Sequence, residues 1–210
     1  MADNKGKSVI RQVVAIGIGA AIFVALTTVQ IPIGFVPNTA LQVRAAVLTF
    51  FAAVFGPVAG FAIGLIGHAL GDALFYGSVW WSWVFPDAIF GLLVGLFAKK
   101  YAIEEGGFGF KQCLGFNLVQ ILSNLVAWAL IAPVLDIVIY KEPANKVFIQ
   151  GITAAVTNLV IVAILGSLLA FGYSKIKTKS GSLKEEEEFL YTVVIPISGR
   201  RPFFFILILL

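Results

Sequence analysis

Residues 147–173 read VFIQGITAAVTNLVIVAILGSLLAFGY, a run without one charged side chain. As a helix, this run is long enough to cross the roughly 30 Å hydrocarbon core of a bilayer. The composition agrees, because 60% of the 210 residues are hydrophobic and 12% are charged, against about 25% charged in a typical soluble domain. Lipid forces the backbone to pair within helices or a closed barrel. Long continuous runs favour helices.

Five more apolar runs precede this one, separated by prolines, glycines or charged residues. The predicted spans are about 9–30, 41–55, 58–76, 80–100, 110–140 and 147–173. The predicted fold is therefore an all-α, polytopic membrane protein, a bundle of six transmembrane helices.

The basic residues at the ends of these runs predict the orientation. Ten lie on one side: Lys5, Lys7, Arg11, Lys99, Lys100, Lys111, Lys175, Lys177, Lys179 and Lys184. Three lie on the other side: Arg44, Lys141 and Lys146. Because cytoplasmic loops are richer in lysine and arginine, both termini are expected on the cytoplasmic side of a prokaryotic cell membrane.

The chain is expected to divide into three parts. Residues 1–8 form a cytoplasmic N-terminus, residues 9–175 the substrate-binding transmembrane domain, and residues 176–210 a cytoplasmic tail. The apolar piece 203–210 at the end of the tail is too short to span a bilayer. We expect part of this tail to be a non-native extension and assign it no activity.

Absent motifs narrow the function. The sequence has no Gly-x-x-x-x-Gly-Lys-Ser/Thr loop, no Gly-x-Ser-x-Gly elbow and no His-Glu-x-x-His, and His68 is its only histidine. The basic residues that give the net charge of +4 flank apolar runs instead of forming a patch, so no nucleic-acid partner is expected. We predict a protein that is not an enzyme and that needs no metal or cofactor.

Polar side chains inside the runs are the candidate binding residues, since each is costly to insert into lipid. Those expected to meet in one extracellular-facing pocket are Asn38, Gln42, His68, Asp72, Trp81, Trp83, Asp87, Asn124, Trp128 and Asn158. Tryptophan faces and carboxylates suit a flat, nitrogen-rich solute. No lysine or arginine is expected to join them inside the membrane.

Structural alternatives apply to most of these residues. His68 and Asp72 share a helix face and can pair with each other, the tryptophans can form an interfacial belt, and Asn124 and Asn158 can bond to neighbouring helices. The acidic side chains do not form a continuous series across the predicted bundle, as a proton-driven carrier would need. This favours a binding pocket that is open to one side of the membrane. A stand-alone secondary carrier, or an enzyme using His68 and Asp72 as an acid–base pair, remains an alternative.

Small residues recur on the first predicted span. The stripe consists of Ala15, Gly17, Gly19, Ala21 and Ala25. Small side chains at this spacing let another helix approach closely. The stripe predicts either a docking face for a partner or packing inside the same bundle.

The sequence resembles an S component of an energy-coupling factor (ECF) vitamin transporter over about residues 7–182. Three stretches carry the likeness: VAIGIGAA at 14–21, FGPVAGF at 55–61, and IGHALGD at 66–72 followed by WWSW at 80–83. Within that superfamily the chain is most similar to a branch linked to hydroxymethylpyrimidine, and pyridoxine-like vitamins fit as well.

This resemblance implies a subunit that binds a vitamin on the extracellular side and releases it by toppling in the membrane. It implies docking on a transmembrane T subunit driven by two ATPases, through an Ala-x-x-x-Ala pattern on the first helix. Ala15/Gly19 and Gly17/Ala21 match that pattern, with glycine replacing alanine. The family's vitamin site uses the first loop and the outer parts of helices four to six.

Overall fold

The computed structural model describes residues 2–177, with side chains described from Val9 onward. It confirms the mainly helical fold. The helices are α1 (Ala2–Ala25), α2 (Arg44–Phe55), α3 (Pro57–Phe75), α4 (Trp81–Gly95), the short α5 (Ala98–Tyr101), α6 (Phe110–Tyr140) and α7 (Ala144–Lys177). Residues 178–210, and with them most of the predicted tail, lie outside the described residues.

Four helices are long and apolar enough to cross a membrane: Val9–Thr28, which contains most of α1, together with α3, α6 and α7. The apolar helices α2 and α4 have 12 and 15 residues, or about 18 Å and about 22 Å of length. These findings fit a polytopic membrane protein. The count of six spans and the orientation of the termini stay predictions.

The predicted loop after the first span contains a small β-hairpin that the sequence analysis missed. Strand β1 (Gln30–Pro32) pairs antiparallel with β2 (Ala40–Gln42), and Gln30 lies opposite Gln42. Pro32, predicted only to stop the first helix, is the last residue of β1. Proline is tolerated on the edge strands of a sheet. The hairpin adds a short sheet to an otherwise helical fold.

Glycines bring α3 and α4 into backbone contact. A methyl group added to Gly60 would lie 2.3 Å from the carbonyl oxygen of Gly91, and one added to Gly64 would lie 2.5 Å from that of Asp87. Close approach of this kind provides van der Waals contact where lipid offers no hydrophobic drive. Gly60 and Gly64 therefore pack inside the bundle.

Gly60→Val is therefore expected to lower the free energy of unfolding by at least about 1–3 kcal/mol, because the added atoms meet backbone that cannot move aside. Gly172→Val is the control, since a methyl group there meets nothing within 4 Å. Thermal unfolding in detergent measures both. An unchanged midpoint for Gly60→Val would contradict the packing described.

The small-residue stripe of α1 divides into two faces. Ala15 and Gly19 are buried, and a methyl group on Gly19 would lie 2.4 Å from Ile63 Cδ1 of α3. Gly17, Ala21 and Ala25 are exposed instead. For Ala15 and Gly19 the alternative of packing inside the bundle is the one observed, since both are buried and Ile63 of α3 and Phe51 of α2 fill the space beside Gly19.

Helix α6 is not a regular α-helix throughout. The stretches Leu125–Ile131 and Asp136–Tyr140 are wound as π-helix, a form that is frequent at functional sites. On α7, a methyl group added to Gly151 would lie 2.3 Å from the carbonyl oxygen of Trp128. The wide turns and this close contact hold the second half of α6 against α7.

Candidate binding site

A cavity of about 660 Å³ lies at one end of the bundle, where α3 and α6 end and α2, α4 and α7 begin. Ligand pockets commonly have volumes of about 300–1,000 Å³. The hairpin loop 33–39 forms one wall. Gln150 Nε2 of α7 donates a hydrogen bond to the Pro37 carbonyl oxygen at 2.7 Å, so this wall is anchored to the bundle.

Seven of the ten predicted binding residues line this cavity: Asn38, Gln42, His68, Asp72, Trp83, Trp128 and Asn158. They come from the hairpin and from α3, α4, α6 and α7. Sequence positions as far apart as 38 and 158 therefore meet around one space, as the pocket prediction requires.

The other three predicted residues do not line the cavity. The Trp81 side chain is 43% exposed and lies beside Phe85. Asn124 is buried and donates a hydrogen bond to Gln120 Oε1 at 2.8 Å. Asp87 lies behind His68, its Oδ2 2.8 Å from His68 Nδ1. The Asn124 amide therefore donates within α6, and the predicted bond to a neighbouring helix is not observed among the described residues.

A buried arginine lies on the cavity wall, which overturns the expectation that no basic residue joins the polar groups. Arg44 opens α2 and is 3% exposed. Its Nε donates a hydrogen bond to Gln42 Oε1 at 2.6 Å, and its Nη2 lies 3.2 Å from His68 Nε2. Its guanidinium carbon is 4.8 Å from the centre of the Phe23 ring. The sequence predicts Arg44 only as one of three basic residues at the outer ends of the spans.

His68 joins two buried acids to this arginine. Its Nε2 lies 3.4 Å from Asp72 Oδ1, and its Nδ1 contacts Asp87 at ion-pair distance, outside hydrogen-bond geometry. Buried charges are tolerated when they compensate one another. The four side chains therefore form a charge cluster (Arg44, His68, Asp72 and Asp87) in which each ion needs the others. Of its members, Asp87 alone does not line the cavity.

Asp136 fixes the aromatic side chains on one wall of the cavity, Trp80 and Trp83, which we call the aromatic wall. Asp136 was not among the predicted site residues. This buried carboxylate of α6 accepts hydrogen bonds from Trp80 Nε1 and Trp83 Nε1, each at 2.7 Å, and from the Ser82 hydroxyl. The Trp80 ring also stacks on Tyr140 at a centroid distance of 4.3 Å. Trp80, Ser82 and Trp83, at the start of α4, are thus fixed on one carboxylate.

Trp128 lines the cavity and carries a buried N–H group without an acceptor in the described part of the chain. Its side chain is 3% exposed, and its Nε1 has no acceptor among residues 9–177. The ring lies edge-to-face with Trp83 at 5.4 Å. An unpaired buried N–H costs about 1–3 kcal/mol. Within the same described range, no cluster of three His, Cys, Asp or Glu is placed to hold a metal ion.

Comparison with known proteins decides the family. The family model described as "ECF-type riboflavin transporter, S component" matches residues 7–175. The chain belongs to this family. It is therefore a substrate-binding subunit of a transporter, in a family of transport proteins and not of enzymes. S components of this type work with a T subunit and ATPase subunits.

Close relatives occur in bacteria. The chain is 50% identical to a UPF0397 protein of Lactobacillus gasseri and 50% identical to one of Lactobacillus johnsonii, in each case over 89% of this chain and 100% of the relative. It is 49% identical to a UPF0397 protein of Lacticaseibacillus casei over the same shares. No solved structure matches the chain. These relatives support a prokaryotic membrane protein.

Proposed function

We propose that this S component captures a small, flat, nitrogen-rich vitamin or vitamin precursor at the extracellular face of the cell membrane. It then delivers the solute through a T subunit that two ATPases drive. The observation that carries the proposal is the cavity, whose lining brings Trp83 and Trp128 together with three members of the buried charge cluster, Arg44, His68 and Asp72.

Three solutes are the first candidates. The sequence resemblance favours hydroxymethylpyrimidine or a pyridoxine-like vitamin, and the family description names riboflavin. All three have a planar nitrogen ring that can stack on an indole and polar groups that can bond with the cavity wall. A cavity of about 660 Å³ can accommodate any of them.

The residues proposed to contact the solute are those on the cavity wall. Trp83 and Trp128 supply ring faces, and Asn38, Gln42 and Asn158 supply amides. His68 and Asp72 present the edge of the charge cluster. Asp87 orients His68 from behind, which makes it a positioning residue. The exposed half of the α1 stripe is the proposed docking face for the T subunit.

The direct test is calorimetry of the purified chain, without ATP, against riboflavin, hydroxymethylpyrimidine and pyridoxine. One of them is expected to bind with a one-to-one stoichiometry. Trp128→Phe keeps an aromatic ring but removes the N–H and part of the ring face, and is expected to weaken binding about tenfold. Trp81→Phe is the matched control, because Trp81 lies outside the cavity lining.

Absence of binding by all three solutes would exclude these three compounds as the cargo. Equal affinity for the two tryptophan variants would show that the cavity is not the binding place. Liposomes containing only this chain test the carrier alternative: we expect no uptake driven by an ion gradient, whereas robust uptake would replace the proposal with a secondary carrier.

A further inference from the structure

We infer that the captured solute carries a positive charge. This inference rests on the proposed function and specifies it: the ligand is a flat organic cation. Two observations carry it, the balance of buried charges around the cavity and the position of Asp136 on the cavity wall.

Asp136 is a buried carboxylate whose partners are all neutral. It accepts from two indole N–H groups and one hydroxyl, and an indole nitrogen can only donate. No lysine, arginine or histidine lies within ion-pair distance of Asp136 in residues 9–177. Hydrogen bonds orient this carboxylate on the cavity wall but leave its negative charge uncompensated.

The rest of the site does not supply the missing positive charge. Arg44 lies among the buried acids Asp72 and Asp87. If His68 is protonated, Arg44 and His68 supply two positive charges. The carboxylates of Asp72, Asp87 and Asp136 supply three negative charges. At the rim, Lys146 is paired with Glu142 at 2.6 Å, so this pair adds no net charge. The cavity therefore has a negative excess that a bound cation would neutralise.

The aromatic wall also favours a positively charged solute. Trp80 and Trp83 line the cavity with their N–H edges turned to Asp136. The face of an indole ring attracts a cation, and more strongly when water is excluded. A flat ring that carries a cationic substituent would therefore satisfy both the indole rings and the Asp136 carboxylate.

Two pairs of probes that differ by one group test the inference. The first pair is hydroxymethylpyrimidine and its aminomethyl analogue, in which an ammonium group replaces the hydroxyl. The second is pyridoxine and pyridoxamine. In at least one pair, calorimetry is expected to show about tenfold or greater preference for the ammonium member, falling as salt is raised. Riboflavin, which has no cationic group, is expected to bind more weakly than that member.

The variant Asp136→Asn keeps the shape of the side chain but removes its charge. It is expected to reduce the preference for the ammonium member to less than about threefold, whereas Glu105→Gln, at an exposed acid outside the cavity lining, leaves the preference intact. A thermal unfolding midpoint measured alongside identifies a folding defect. The comparison of the ligand pairs on the unaltered chain does not depend on that variant.

The outcomes separate this inference from the proposed function. If riboflavin or the neutral member of each pair binds as tightly as the ammonium member or tighter, the cation inference is overturned and the capture of a vitamin stands. If the preference survives Asp136→Asn, the role of that carboxylate is overturned. If none of the five compounds binds, both the inference and the proposed function fail.

Discussion

Arg44→Met is expected to lower the free energy of unfolding by about 3–5 kcal/mol and to abolish solute binding. The change leaves Asp72 and Asp87 buried with only His68 between them, and it removes the donor to Gln42. An uncompensated buried charge is far more costly than a lost surface pair. Thermal unfolding in detergent and calorimetry measure the two effects separately.

Arg11→Met is the matched control for this change. Arg11 also pairs with an acid, Glu104, but its side chain is 49% exposed, so its loss is expected to cost less than about 1 kcal/mol. The double variant Arg44→Met with Asp87→Asn removes one of the stranded charges and is expected to recover part of the stability. If Arg44→Met unfolds at the same temperature as the unaltered chain, the buried charge cluster is not a structural unit.

Ala21→Leu is expected to abolish co-purification with the T subunit while leaving the unfolding temperature unchanged. Ala21 is exposed beside Gly17 and Ala25, and a leucine there would prevent close approach of a partner helix without touching the interior. Co-expression with the T subunit and the ATPases, followed by affinity purification, measures the effect. Calorimetry on the isolated variant is expected to show the same solute affinity.

Two leucine variants provide the comparison. Gly19→Leu is expected to destabilise the chain itself, because Ile63 and Phe51 occupy that space. Gly115→Leu is the control for an exposed glycine elsewhere, since a methyl group there meets nothing within 4 Å. Retention of the T subunit by Ala21→Leu, or its loss in Gly115→Leu, would contradict a docking face built from the exposed half of the stripe.

The helices and much of the cavity lining were predictable because their signals are local. Uncharged runs locate the helices, and the fifth predicted span, 110–140, coincides with α6. Polar side chains are costly to expose to lipid, so they are expected to face the interior of the bundle. His68, Trp128 and Asn158 were identifiable from this cost and from their expected depth in the membrane. Depth does not fix the direction of a side chain, which is why Trp81 and Asn124 were assigned to the cavity although they point elsewhere.

The features that the sequence analysis missed depend on distant partners. Arg44 lies at the start of an apolar run, and charge counting treats such a residue as part of a loop. Only the folded chain shows His68 and Gln42 around it. Asp136 lies a few residues before Lys141 near the end of a long span, so nothing local marks it as the acceptor for two tryptophans. The hairpin depends on pairing across residues 30–42, which periodicity does not reveal.

The most direct measurement of the central claim is mass spectrometry of the small molecule released when protein purified from its native membrane is denatured. We expect one flat nitrogen heterocycle, present at about one copy per chain and strongly reduced in Trp128→Phe purified in parallel. A chain that releases no such compound, or releases equal amounts from both proteins, would contradict capture of a solute in this cavity.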